Sequence, residues 1–235
     1  MVIMLLLVSS LLFLDDDKPK NAKEALAPFN EFVGAWNGKG EPESGSAAET
    51  QKGMWKETVS WSWKFKGADA WVIFDIKNGK HYRGGEVRWL PDDDKFEVKL
   101  LPKAADAVPL VFKGKLATNG RSLIAERTDD KNDVQRLTIA LVGEIRSTYR
   151  LEHKPAGRTN FVKDFKVEAT REGEALAGAQ KSNKPECVVS GGLGTIPVSH
   201  KGVTYYVCCT GCRDAFNEDP EKYIKEYEEK KRKGK

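Results

Sequence analysis

From Phe29 to about Thr170, apolar and polar residues alternate with period two in one run after another, the pattern of half-buried strands. The clearest run is Thr58-Val59-Ser60-Trp61-Ser62-Trp63-Lys64-Phe65. A first strand opens at Gly34-Ala35-Trp36-Asn37-Gly38-Lys39-Gly40, and others are expected at 70–76, 86–90, 95–100, 110–116, 122–127, 134–141, 145–152 and 160–170. Turn chemistry separates them: Asn78-Gly79, Pro91-Asp92-Asp93-Asp94, Asn119-Gly120, Gly143-Glu144 and Pro155-Ala156-Gly157. Asn-Gly pairs suit hairpins because both residues tolerate positive φ. Turns recurring every ~8–12 residues predict an antiparallel meander. A sheet of about ten such strands closes most simply into an up-and-down barrel, which removes its exposed edges. A two-sheet sandwich is the alternative.

The pattern breaks at both ends. Residues 1–14 are almost wholly apolar and are followed at once by Asp15-Asp16-Asp17. A membrane-spanning helix needs about 20 residues, so this length suits the apolar core of a secretory signal peptide. No Lys or Arg precedes it, and Ser9-Ser10 is the nearest approach to a cleavage site. The expectation is export to the periplasm or cell envelope, with no transmembrane helix in the mature chain. A misassigned start or a buried strand are the alternatives. Residues 15–27 read as a linker with at most one helical turn, 28–170 as the barrel, 171–185 as a second linker, and 186–235 as a small separate module. In that module Val203-Thr204-Tyr205-Tyr206-Val207 forms a short strand after a Lys201-Gly202 turn. Asp219 caps a helix that has Pro220 at its first position, Tyr223, Ile224 and Tyr227 on one face, and a Lys-rich end.

Composition narrows the function classes. The chain has 235 residues, 40% hydrophobic and 31% charged, enough to bury a sizeable core. Basic and acidic residues nearly balance, 39 against 35, and much of the net +4 sits in residues 230–235. That gives no footprint for nucleic acid. Gly-x-Ser-x-Gly, P-loop, His-Glu-x-x-His and dinucleotide glycine patterns are absent. The chain therefore reads as a binding protein rather than an enzyme.

All four cysteines fall within residues 187–212. A disulfide framework for the whole chain would be spread along it, so the clustering indicates one local site. Cys187 stands near a loop, and Cys208 and Cys212 flank the corner where the strand ends. Such a pair with a third thiolate suits zinc or copper(I), one ion in all. Cys209, His200, water or a carboxylate competes for a fourth position. Adjacent residues on extended backbone point to opposite sides, so Cys208 and Cys209 share an ion only if the chain turns there. Disulfides or a thiol-redox role for Cys208, Cys209 and Cys212 are the alternatives.

The segment Cys187-Val188-Val189-Ser190-Gly191-Gly192, then His200 through Cys212, then Phe216, Asp219-Pro220 and Tyr223, resembles the YHS and TRASH-like treble-clef metal-binding domains. It departs from their usual pattern at Val188 and Cys209. The resemblance implies a compact ββα metal module used in metal sensing, trafficking or attachment to metal-transport proteins, with Cys187, Cys208 and Cys212 as ligands. The Gly-x-Trp start at Gly34 and the meander behind it resemble lipocalin-like barrels, including the nitrobindin-like group. That implies an interior able to hold a small apolar ligand, with Trp36 plugging the closed end. Haem is not expected: only His81 and His153 fall in the barrel, both near strand ends. The expected function is thus metal binding in the envelope for sensing, storage or delivery; the alternative is a barrel that binds a small hydrophobic ligand, with a structural metal module.

Overall fold

A computed structural model describes residues 18–173 and 185–233. The expected signal peptide at 1–14 lies outside the described residues, as does most of the linker expected at 171–185. The chain enters through a short helix α1 (Ala22–Ala25), capped by the Asn21 side chain, and a 3₁₀ turn over Ala27–Phe32. Ten strands follow: β1 (Gly34–Pro42), β2 (Trp55–Lys66), β3 (Asp69–Lys77), β4 (Tyr82–Leu90), β5 (Lys95–Pro102), β6 (Leu110–Leu116), β7 (Ser122–Thr128), β8 (Val134–Leu141), β9 (Arg146–Lys154) and β10 (Val162–Arg171). One helix, α2 (Ala47–Gly53), interrupts them between β1 and β2.

Each strand pairs antiparallel with its neighbours, and β1 pairs with both β2 and β10, so the sheet closes into an up-and-down barrel. Alternation along the strands decides the interior, because successive side chains point to opposite faces. Along β3 it buries Ala70, Val72, Phe74 and Ile76, and along β5 Phe96, Val98 and Leu100. The expected strand at 86–90 extends back to Tyr82 through Gly84 and Gly85, residues that weaken a sequence-based strand assignment.

One end of the barrel is closed by the 3₁₀ turn. Phe29 and Phe32 are buried there; Phe29 packs on Trp61 and Phe96, and Phe32 on Trp61 and Trp36. Trp36 is fully buried, donates its indole N–H to Phe32 O at 2.6 Å, and carries the Arg171 guanidinium over its ring. Towards the other end Glu57 is buried inside the barrel, accepting from Tyr149 Oη at 2.7 Å and Trp55 Nε1 at 2.6 Å. The interior space left over is a cavity of about 30 Å³ bordered by Trp61, Phe74, Leu137, Ser147, Tyr149 and Val167. That is room for one or two water molecules.

The C-terminal module has a two-stranded hairpin, β11 (Ile196–His200) and β12 (Val203–Val207), then α3 (Thr210–Glu218) and α4 (Pro220–Lys233). Lys201 and Gly202 turn the hairpin, both at positive φ. Asp219 accepts from Lys222 N at 3.1 Å and caps α4. The module packs on the barrel: α3 lies against β2, and Tyr223 of α4 meets Phe65 edge-on at 6.4 Å. Among the described residues, no helix is long and apolar enough to cross a membrane.

Candidate metal centre

Two local structures bring the cysteines together. The first is a tight loop over residues 186–193. Glu186 and Leu193 bridge across it, Cys187 N donates to Gly192 O at 2.6 Å, and Gly191 N donates to Cys187 O at 2.9 Å. Gly191 sits at φ +78°, a conformation that favours glycine. The loop lies along β12, where Val188 N donates to Tyr206 O at 2.8 Å. The second structure is the corner from β12 into α3. Cys208 follows the strand, Cys209 is the helix N-cap, and Cys212 lies in the first turn.

The Sγ atoms of Cys187, Cys208 and Cys212 all lie within 4.8 Å of one another. Cys187 and Cys212 are 0% exposed and Cys208 is 8% exposed. The Cys208 and Cys212 sulfurs are 3.4 Å apart. Thiolates bound to zinc at ~2.3 Å in a tetrahedron stand roughly 3.8 Å apart, so this donor set fits such an ion with little rearrangement. An outer contact favours thiolate at Cys187, where Ser190 N donates to Sγ at 3.4 Å; Ser190 Oγ also lies 3.3 Å from Cys208 Sγ.

With only protons to share, four crowded thiols cannot all ionise. Hydrogen bonds from Cys208 and Cys212 pull Cys187 well below the usual thiol range, against the opposing effect of burial. The same two donors pull Cys209 down. Cys208, donating to Cys187 and Cys209, is pushed well up, and burial raises Cys212. An ion replacing the shared protons removes this competition, because metal ligands bind as thiolates.

The other two candidates stand apart from the group of three. Cys209 Sγ is 3.9 Å from Cys208 Sγ, but the set of mutually close ligand atoms does not include it. Its sulfur instead lies at the edge of the group, against Cys208 on one side and accepting from Trp63 N of the barrel at 3.4 Å on the other. His200, at the end of β11, is not in the group either. Its Nε2 is buried without a hydrogen-bond partner, 3.9 Å from Glu221 Oε1.

Ser190 and Trp63 touch the sulfurs, Asn30 joins those two residues, and Gly211 faces the Trp63 carbonyl; none of the four was expected at the site. Nothing in their spacing marks Ser190 or Asn30. The alternation that placed Trp63 in a strand gave no sign that the strand outruns its partner. In the barrel, neither histidine borders the cavity: His81 is exposed and stacks on Phe165 at 4.3 Å, and His153 pairs with Asp164 at 2.7 Å. Ligand pockets for drug-sized molecules are roughly ten times larger than this cavity. The fold and site together define a closed ten-stranded antiparallel β-barrel bearing a small module in which three of four cysteines converge. Comparison with known protein families and with curated proteins finds no match to this chain.

Proposed function

We propose that the protein binds one zinc or copper(I) ion through Cys187, Cys208 and Cys212, and serves metal sensing, storage or delivery in the cell envelope. The observation that carries this reading is the convergence of three buried sulfurs from two separate segments within 4.8 Å. Soft thiolates are the donors those ions favour. Three converging cysteines leave the fourth position of a tetrahedral ion to another donor, and a donor supplied by a metal-transport or envelope partner would suit transfer better than permanent structural binding. The envelope assignment follows from the apolar start of the sequence.

A thiol-redox role is the second reading, favoured by the 3.4 Å separation of the Cys208 and Cys212 sulfurs. Element analysis of untagged protein, with a free-thiol count, separates the two. About one equivalent of metal, lost in Cys208→Ala plus Cys212→Ala, is the expected result. Metal-free protein with a reversible disulfide overturns the metal reading.

A further inference from the structure

The three thiolates come from two segments, and both segments are tied to the same barrel residue. Trp63 lies near the end of β2, fully buried. β1 pairs with β2 only as far as Gly34 opposite Trp61, so residues 62–66 run on without that neighbour. On its other side Trp63 pairs with Val72 of β3. The N–H and C=O on the vacated side would be left unpaired, a costly state for buried backbone. The module fills the gap. Trp63 N donates to Cys209 Sγ at 3.4 Å, and the Trp63 carbonyl faces Gly211, where an added Cβ would overlap its oxygen. Cys209 and Gly211 lie within the corner, between Cys208 and Cys212.

The side chain of the same tryptophan reaches the other segment. Its indole N–H donates to Asn30 Oδ1 at 2.9 Å, and Asn30 Nδ2 donates to Ser190 O at 2.8 Å. Ser190 N in turn donates to Cys187 Sγ. A continuous set of hydrogen bonds therefore runs from the Cys187 loop through Asn30 and Trp63 to the Cys208–Cys212 corner.

We propose that the barrel wall completes the metal site, with Asn30 and Trp63 as positioning residues that hold its two halves at ligating distance. The proposal rests on the metal-binding reading above and adds that the barrel sets the affinity. Three thiolates drawn together repel one another, so a frame that fixes their separation beforehand lowers the cost of binding. Loss of outer-shell partners typically weakens a metal ~10–100-fold. The coupling is reciprocal: whatever the barrel gives to ion binding, the ion returns as tighter docking on β2.

The test uses the full chain, with zinc and, under reducing conditions, copper(I) as probes in chelator competition. Asn30→Ala removes both side-chain links. Asn30→Asp keeps the acceptor for Trp63 and loses only the donor to Ser190 O. Both are expected to bind about one equivalent ~10–100-fold more weakly than wild type, with all thiols intact. In wild type, hydrogen exchange at the Trp63 amide is expected to slow at least ~10-fold on metal loading, a readout that needs no variant. Affinities within about twofold of wild type in both variants overturn the proposal while leaving the metal reading in place. So does a Trp63 amide that exchanges equally fast with and without metal. Wild-type protein that takes up neither ion overturns both.

Discussion

The carboxyl of Glu57 offers a sharp test of the barrel interior. It is 4% exposed and held by two donors, Tyr149 Oη and Trp55 Nε1. Burial raises its pKa above the ordinary 4.5, and the two hydrogen bonds only partly oppose that. A carboxyl raised in the folded state binds its proton more tightly there than in the unfolded chain. Its contribution to stability is therefore fully present below about pH 4.5 and is lost as pH rises through the folded value. Tyr149→Phe removes one donor. Against the neutral acid the lost hydrogen bond is worth about 0.5–1.5 kcal/mol, and against the buried anion about 1.5–3 kcal/mol. The destabilisation should therefore grow with pH. A loss of ~2 kcal/mol corresponds to a fall of roughly 4–8 °C in Tm for a chain of this size. Glu57→Gln cannot ionise, so its stability relative to wild type should rise with pH. Urea unfolding of the three proteins from pH 4 to pH 8 gives both differences, and shared titrations elsewhere cancel. A Tyr149→Phe penalty equal at both ends of the range, or a Glu57→Gln variant that gains nothing at high pH, would refute the reasoning.

Two smaller perturbations follow from the fold. Trp36→Ala opens the end of the barrel, removes the indole bond to Phe32 O and strips the surface under Arg171, so about 3–5 kcal/mol of stability should be lost in chemical denaturation. Asp219→Ala removes the cap on α4 and should cost about 0.5–2 kcal/mol, with the helix end exchanging amide hydrogens faster.

Much of the architecture was legible along the chain because barrel strands are locally specified. Period-two alternation in residues such as Val59, Trp61 and Trp63 fixes which face is buried. The Asp219-Pro220 pair marked the start of α4 for an equally local reason: a side-chain cap and a proline at the first position act within one turn. The 3₁₀ plug at Ala27–Phe32 was not legible, since Phe29 and Phe32 are buried by strands far away in sequence rather than by any periodicity of their own. Helix α2 escaped notice for a different reason. It has no buried residue and depends on the Ser46–Glu49 capping box.

The candidate site divides the same way. That the cysteines form one local group can be read along the chain, because all four fall within 26 residues, from 187 to 212. Which thiols meet, and what lies against them, depends on packing between distant segments. Cys209 stays close to Cys208 but accepts from the Trp63 amide of the barrel, which leaves it outside the group of three. His200 stays at the far end of β11, beside Glu221. Trp63 reaches the site because β2 outruns β1 and leaves a backbone N–H that Cys209 of the module accepts, and its indole brings in Asn30 of the 3₁₀ turn. That last fact belongs to strand register, and register is a relation between distant segments that no local pattern encodes.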